Sequence, residues 1–143
     1  MIMKIAIING PNLNLLGTRE PGIYGSQTFE EYYNQLKHSY PSIEFAYYQS
    51  NVEGELINEL QHFSHSYDGI IMNPGGYTHT SVAIGDCIAA ISTPVIEVHI
   101  SNVHAREDFR KISHVSAMSK GSIIGLGLKG YELAVQYLLS YYK

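Results

Sequence analysis

Apolar residues recur along the chain in two rhythms, one of period two and one near 3.6, and these sort it into strands and helices. Lys4 to Asn9 is a short β-branched run, and Thr28 followed three residues later by Glu31 is the capping-box signature of a helix reaching about Ser39. Pro41 stops that helix. Ile43 to Gln49 then alternates as a strand, and Leu56, Ile57, Leu60 and Phe63 fall on one face of a second helix. Gly69 to Asn73 reads as a third, buried strand, Thr80 to Ile91 as a third helix, Val95 to Ile100 as a fourth strand and Ser122 to Leu126 as a fifth. A last helix runs from about Tyr131 to Tyr142.

Strands alternating with helices imply a parallel sheet covered on both faces, here a five-stranded α/β domain of flavodoxin-like type. Such sheets bind ligands beyond the carboxyl ends of their strands. That rule selects three segments: Asn9 to Gly25, Asn73 to Thr80, and His99 to Lys111. The length of 143 residues fits a single domain over residues 1–143, with a hydrophobic fraction of 45% and a charged fraction of 15% typical of globular chains. The net charge of -4 and the lack of a basic stripe argue against nucleic acid as a partner. Ile5 to Ile8, the longest apolar run near the start, is too short for a signal segment or a membrane span, so a cytoplasmic protein with no membrane partner is expected. Cys87 is the single cysteine, which excludes an internal disulfide and a multi-cysteine zinc site; its apolar surroundings read as a buried small side chain.

The strand-end segments hold the unusual residues. Arg19, Arg106 and Arg110 are the only arginines, and all three fall there; a guanidinium fork matches carboxylate or phosphate, so the grouping points to a small anion at the sheet edge. In Asn73-Pro74-Gly75-Gly76-Tyr77-Thr78-His79 the two glycines let backbone N–H groups approach a ligand, and Asn73 and His79 offer neutral hydrogen bonds to hydroxyls, although the same residues also fit a plain turn. Glu97 and His99 are two apart on the fourth strand and so share a face, and a carboxylate there favours a protonated imidazole able to act as an acid. His38, His62, His65 and His114 read as surface, and His104 lies nearer the site. Glu59, His62 and His65 have helical metal spacing, but no second helix offers a matching set, so no metal is expected. Gly125 to Gly130 matches G-x-G-x-x-G, yet lacks the following strand and the acidic residue about 20 positions on that a dinucleotide site needs. It reads as a turn with close helix packing.

Three polar blocks together resemble type II 3-dehydroquinate dehydratase in order and spacing, nearly end to end. They are Asn9 to Arg19 with Tyr24-Gly25, then Asn73 to Ser81, then Glu97 to Asn102 with His104-Ala105-Arg106. The resemblance implies conversion of 3-dehydroquinate to 3-dehydroshikimate without metal or organic cofactor, in the shikimate pathway of aromatic amino acid biosynthesis. On the matching positions it implies Tyr24 as base, Arg19 as its activator, His99 as the acid and Asn12 as the holder of a water against an enolate. Asn73, His79, Ile100, Ser101 and Arg110 would bind the substrate, Ile100 through its backbone. The chemistry is coherent, because a free phenol is ionised at neutral pH in only about one molecule in a thousand, and a guanidinium in contact favours the phenolate. The resemblance also implies a homo-oligomer, a dodecamer built from trimers, in which Asp86 reaches a neighbouring subunit's substrate. Gly85, where the family pattern has arginine, departs from it; a helical glycine costs roughly 0.5–1 kcal/mol against alanine and removes a charge beside Asp86.

A flavodoxin-like flavin- or nucleotide-binding module is the main alternative, but Gly10 to Gly17 offers asparagines and leucines where a phosphate cradle needs serines and threonines. A phospho-acceptor domain would need acidic residues ending strands one and three, which end in Asn9 and Asn73. A lysine Schiff base is disfavoured because the six lysines fall at strand starts, helix surfaces or loops.

Overall fold

The computed structural model describes residues 2–18 and 26–142. Strands β1 (Met3–Asn9), β2 (Ile43–Gln49), β3 (Gly69–Asn73), β4 (Val95–His99) and β5 (Gly121–Ile124) alternate with helices α1 (Phe29–Ser39), α2 (Glu53–Ser64), α3 (Val82–Ala90) and α4 (Lys129–Tyr141). All the strand pairs are parallel, in the order β2-β1-β3-β4-β5. This is the flavodoxin-like order expected from the alternation, and it reverses direction between β1 and β3, the switch point where such sheets place ligands.

Period-two alternation within β1, β3 and β4 feeds two cores. Ile5, Ile7, Ile71, Ile96 and Val98 face Phe29 and Leu36 of α1 and Tyr131, Ala134, Val135 and Leu138 of α4. Ala6, Ile8, Ile70, Met72 and Val95 face Leu56, Leu60 and Phe63 of α2 and Ile84, Cys87 and Ile88 of α3. Because both faces are covered, the central strands are mostly apolar: Ile5 to Ile8 and Gly69 to Met72 lead without interruption to Asn9 and Asn73, while β4 carries the buried Glu97 two residues before His99.

Local signals set most element ends. Thr28 and Glu31 form the full capping box at the start of α1. Helix α3 starts two residues later than the pattern predicts, because the Ser81 hydroxyl accepts the Ile84 N–H and so caps it, while Gly75–His79 forms a separate 3-10 turn. Strand β5 runs Gly121–Ile124 rather than to Leu126, since Gly125 takes a φ of +87°. Cys87 is buried, and burial pushes its thiol up.

Gly85 has a packing reason. A Cβ at that position would lie 2.5 Å from the His114 carbonyl oxygen, so the backbone of the 112–118 segment crosses α3 where no side chain is possible without a shift. Any larger residue could stand here only if that segment moved. Helix propensity alone predicts that Gly85→Ala stabilises by about 1 kcal/mol. The contact predicts the opposite sign: urea titration should show Gly85→Ala less stable by about 1–3 kcal/mol, and a higher midpoint would contradict this packing.

Candidate active site

The carboxyl ends of β1, β3 and β4 surround a cleft of about 140 Å³. Of the residues singled out in the sequence, Asn12, Asn73, His79, His99, Ile100, Ser101 and Arg110 all line it, and Arg106 joins them. Asp86 stands exposed on α3 and does not line the cleft of its own chain. Arg19 and Tyr24 lie outside the described residues. His38, His62, His65 and His114 are exposed, as expected for surface histidines, and His104 is exposed too.

Glu97 and His99 project from the same face of β4, and the His99 Nε2 lies 2.6 Å from the Glu97 carboxylate. Glu97 is fully buried and His99 only 6% exposed. A carboxylate without water must find every partner inside the protein. Glu97 finds the hydroxyls of Thr78 at 2.5 Å, Ser122 at 2.7 Å and Ser113 at 3.2 Å, and that of Ser116, which donates to its other oxygen beside Ser122. Burial pushes the Glu97 carboxyl up, but the His99 hydrogen bond and charge, with Ser116 and Thr78, more than offset it and hold the group down to about 2. The pair therefore presents an anchored imidazole at the cleft wall with a permanent anion behind it.

His79 works differently. Its Nδ1 donates to the Ile112 carbonyl at 2.7 Å, which leaves Nε2 as an acceptor when the ring is neutral. Burial lowers the His79 imidazole below the ordinary histidine range, so the neutral form is favoured. Arg110 is tied to Glu107 at 3.2 Å and lies over the Phe109 ring at 4.9 Å, which fixes a guanidinium at the rim. The glycine-rich turn has a role here too: the N–H groups of Gly125 and Gly127 bond the carbonyls of His99 and Ile100, and positive φ at both glycines permits that approach. The motif thus buttresses the Ile100–Ser101 backbone at the cleft.

A profile of the family described as dehydroquinase class II matches residues 3–139. The chain belongs to that family. It is 57% identical to a 3-dehydroquinate dehydratase of Fusobacterium nucleatum subsp. nucleatum, over 98% of this chain and 99% of that one. It is 50% identical to a 3-dehydroquinate dehydratase of Campylobacter jejuni, over 96% of this chain and 87% of that one. The crystal structure of the type II dehydroquinase from Butyrivibrio crossotus superposes with a TM-score of 0.93 at 48% identity, covering 96% of this chain and 98% of that one.

Residues at the end of β2 and just beyond it, to which no role was expected from the sequence, hold the backbone of the cleft residue Asn12. Asn12 has a φ of 70°, a left-handed conformation that asparagine tolerates better than most residues. Its backbone N–H donates to the Asn51 Oδ1 at 3.0 Å; Gln49 donates to the same oxygen and to the Gly10 carbonyl, and the Tyr77 hydroxyl bonds the Asn51 carbonyl. Only the β2-β1-β3 neighbour order, which places β2 beside β1, could have revealed this clamp.

The depressed Glu97 value makes a stability prediction. A carboxyl held below its ordinary value stabilises the fold above about pH 4.5, and that contribution is lost as pH falls from about 4.5 to about 2. Urea midpoints across that window should fall more steeply for the wild type than for Glu97→Gln, by about 3 kcal/mol in total. Glu97→Gln should also be the less stable protein at pH 7, and equal slopes would contradict the assignment.

Proposed function

We propose that this cleft eliminates water from 3-dehydroquinate to give 3-dehydroshikimate, with no cofactor, through an enolate, as part of the shikimate pathway of aromatic amino acid biosynthesis. The observation that carries this reading is the buried Glu97–His99 pair, at a cleft that also gathers Asn73, His79, Ser101 and Arg110. The Tyr24 phenolate takes a proton from the carbon next to the ketone, and the electron pair of that C–H bond moves into an enolate. A water held by Asn12 bonds the enolate oxygen. Collapse of the enolate re-forms the ketone, makes the new C=C bond and breaks the neighbouring C–O bond; the departing hydroxyl takes a proton from His99 and leaves as water. Tyr24 has then gained the proton that His99 lost, and exchange through solvent resets both.

Arg19 supports the phenolate electrostatically. Asn73, His79, Ser101, Arg110 and the Ile100 backbone bind the substrate's hydroxyls and carboxylate, the neutral His79 ring by accepting a hydrogen bond from a hydroxyl at Nε2. A subunit assembly, a dodecamer of trimers in the cytoplasm with Asp86 contributed to a neighbour's cleft, is part of the same reading. It is supported by the exposure of Val82, one turn before Asp86 on α3, and of Met118 beside Gly85. The nucleotide-module reading has nothing comparable at the strand ends.

Incubating the purified protein with 3-dehydroquinate should produce the ultraviolet absorbance of a conjugated enone, and its absence would refute the reading. Tyr24→Phe should lower kcat by about 10²–10⁴-fold while titration still shows substrate binding. Arg19→Ala should move the base limb of the pH–rate profile upward. Near-normal turnover of Tyr24→Phe would place the base elsewhere.

A further inference from the structure

Asn9 and Asn73 end adjacent central strands in direct register, and both side chains face α4 rather than α2 and α3. There they meet Tyr131, which is fully buried and sends its hydroxyl between them: it lies 2.8 Å from the Asn9 Oδ1 and 3.0 Å from the Asn73 Nδ2. Asn9 is 0% and Asn73 3% exposed. The direction of every bond in this chain follows from one group that can only donate. The Gly75 backbone N–H lies 3.1 Å from Asn73, so the atom facing it must be Oδ1, and Nδ2 must face Tyr131. The phenol oxygen therefore accepts from Asn73, and its single hydrogen goes to the Asn9 Oδ1. Asn9 in turn sends its Nδ2 toward the Tyr47 hydroxyl at 3.4 Å. Burial pushes the Tyr131 phenol far above its usual range, which keeps that hydrogen in place.

From this geometry we infer that Tyr131, on the C-terminal helix, is a positioning residue for substrate recognition, fixing the Asn73 amide so that its second N–H and the second lone pair of its Oδ1 face the cleft. An amide held this way offers a donor and an acceptor side by side, which suits a hydroxyl-bearing ring. Without the phenol, Asn73 keeps only its bond to Gly75 and can swing about it. The inference rests on the reading that Asn73 is a substrate ligand.

Tyr131→Phe keeps the ring packing against Phe29 and removes only the hydroxyl. In folded variant, verified by its thermal melt, KM for 3-dehydroquinate should rise about fivefold, the effect of one neutral hydrogen bond, with kcat within about twofold and both limbs of the pH–rate profile unmoved. In an Asn73→Ala background the same substitution should raise KM no further. A folded Tyr131→Phe with unchanged KM, or effects that multiply in the double variant, would overturn the inference while leaving Asn73 a ligand. An unchanged KM for Asn73→Ala alone would overturn both the ligand reading and this inference. Should Tyr131→Phe not fold, Asn9→Ala releases the phenol from its other end and should raise KM in the same direction; no rise there would overturn the proposal equally.

Discussion

A carboxylate buried without water organises the catalytic end of this protein. Glu97 could be ionised in that position only if each of its oxygens were partnered, and the chain supplies an imidazole and four hydroxyls drawn from four segments: the turn after β3, the segment before β5, β5 itself and β4. Removing any one partner leaves buried charge less compensated, at a cost of the order of 1–3 kcal/mol. The same bonds that make the ion tolerable therefore lock the β3 turn, the 113–116 segment and β5 to one point. His99 receives its position from that lock, and the turn that carries His79 is fixed beside it through Thr78.

A second polar layer lies on the opposite side of the sheet. Asn9, Asn73 and Tyr131 are buried as neutral groups whose hydrogen bonds run in one direction, and they hold the ends of β1 and β3 at a fixed spacing. Neutral amides at this place suit a substrate bearing hydroxyls, where acidic residues would repel its carboxylate. Among the described residues, the charged groups at the cleft are Arg106 and Arg110 and the Glu97–His99 pair. The fold thus places one buried polar group on each side of the sheet, the Glu97–His99 pair on one face and the Asn9–Tyr131–Asn73 chain on the other, at the strand ends around the switch point.

Much of this was legible in the sequence because local rules govern it. The capping box at Thr28, the apolar strands and the shared face of Glu97 and His99 follow from periodicity and spacing alone, and all appear in the structure. Element ends shifted where a distant contact or a special backbone angle intervened, as at Ser81 and Gly125. Three features were invisible for a physical reason: they join residues far apart in the chain. The serine partners of Glu97, the Asn51 clamp on Asn12 and the reach of Tyr131 across 122 positions to Asn9 depend on the neighbour order of the sheet, which composition and periodicity do not encode. Gly85 reads as a weak point in a helix by propensity alone, and only the distant His114 carbonyl packed against it gives the glycine its reason.

The central claim is that His99, fixed by Glu97, acts after the proton has been abstracted rather than before. Turnover of His99→Gln in deuterium oxide separates the two steps most directly. The account predicts that recovered 3-dehydroquinate carries deuterium at the carbon beside its ketone while 3-dehydroshikimate formation collapses, because the base still forms the enolate and the hydroxyl can no longer be expelled. Loss of both exchange and product, or product formation near the wild-type rate, would contradict it.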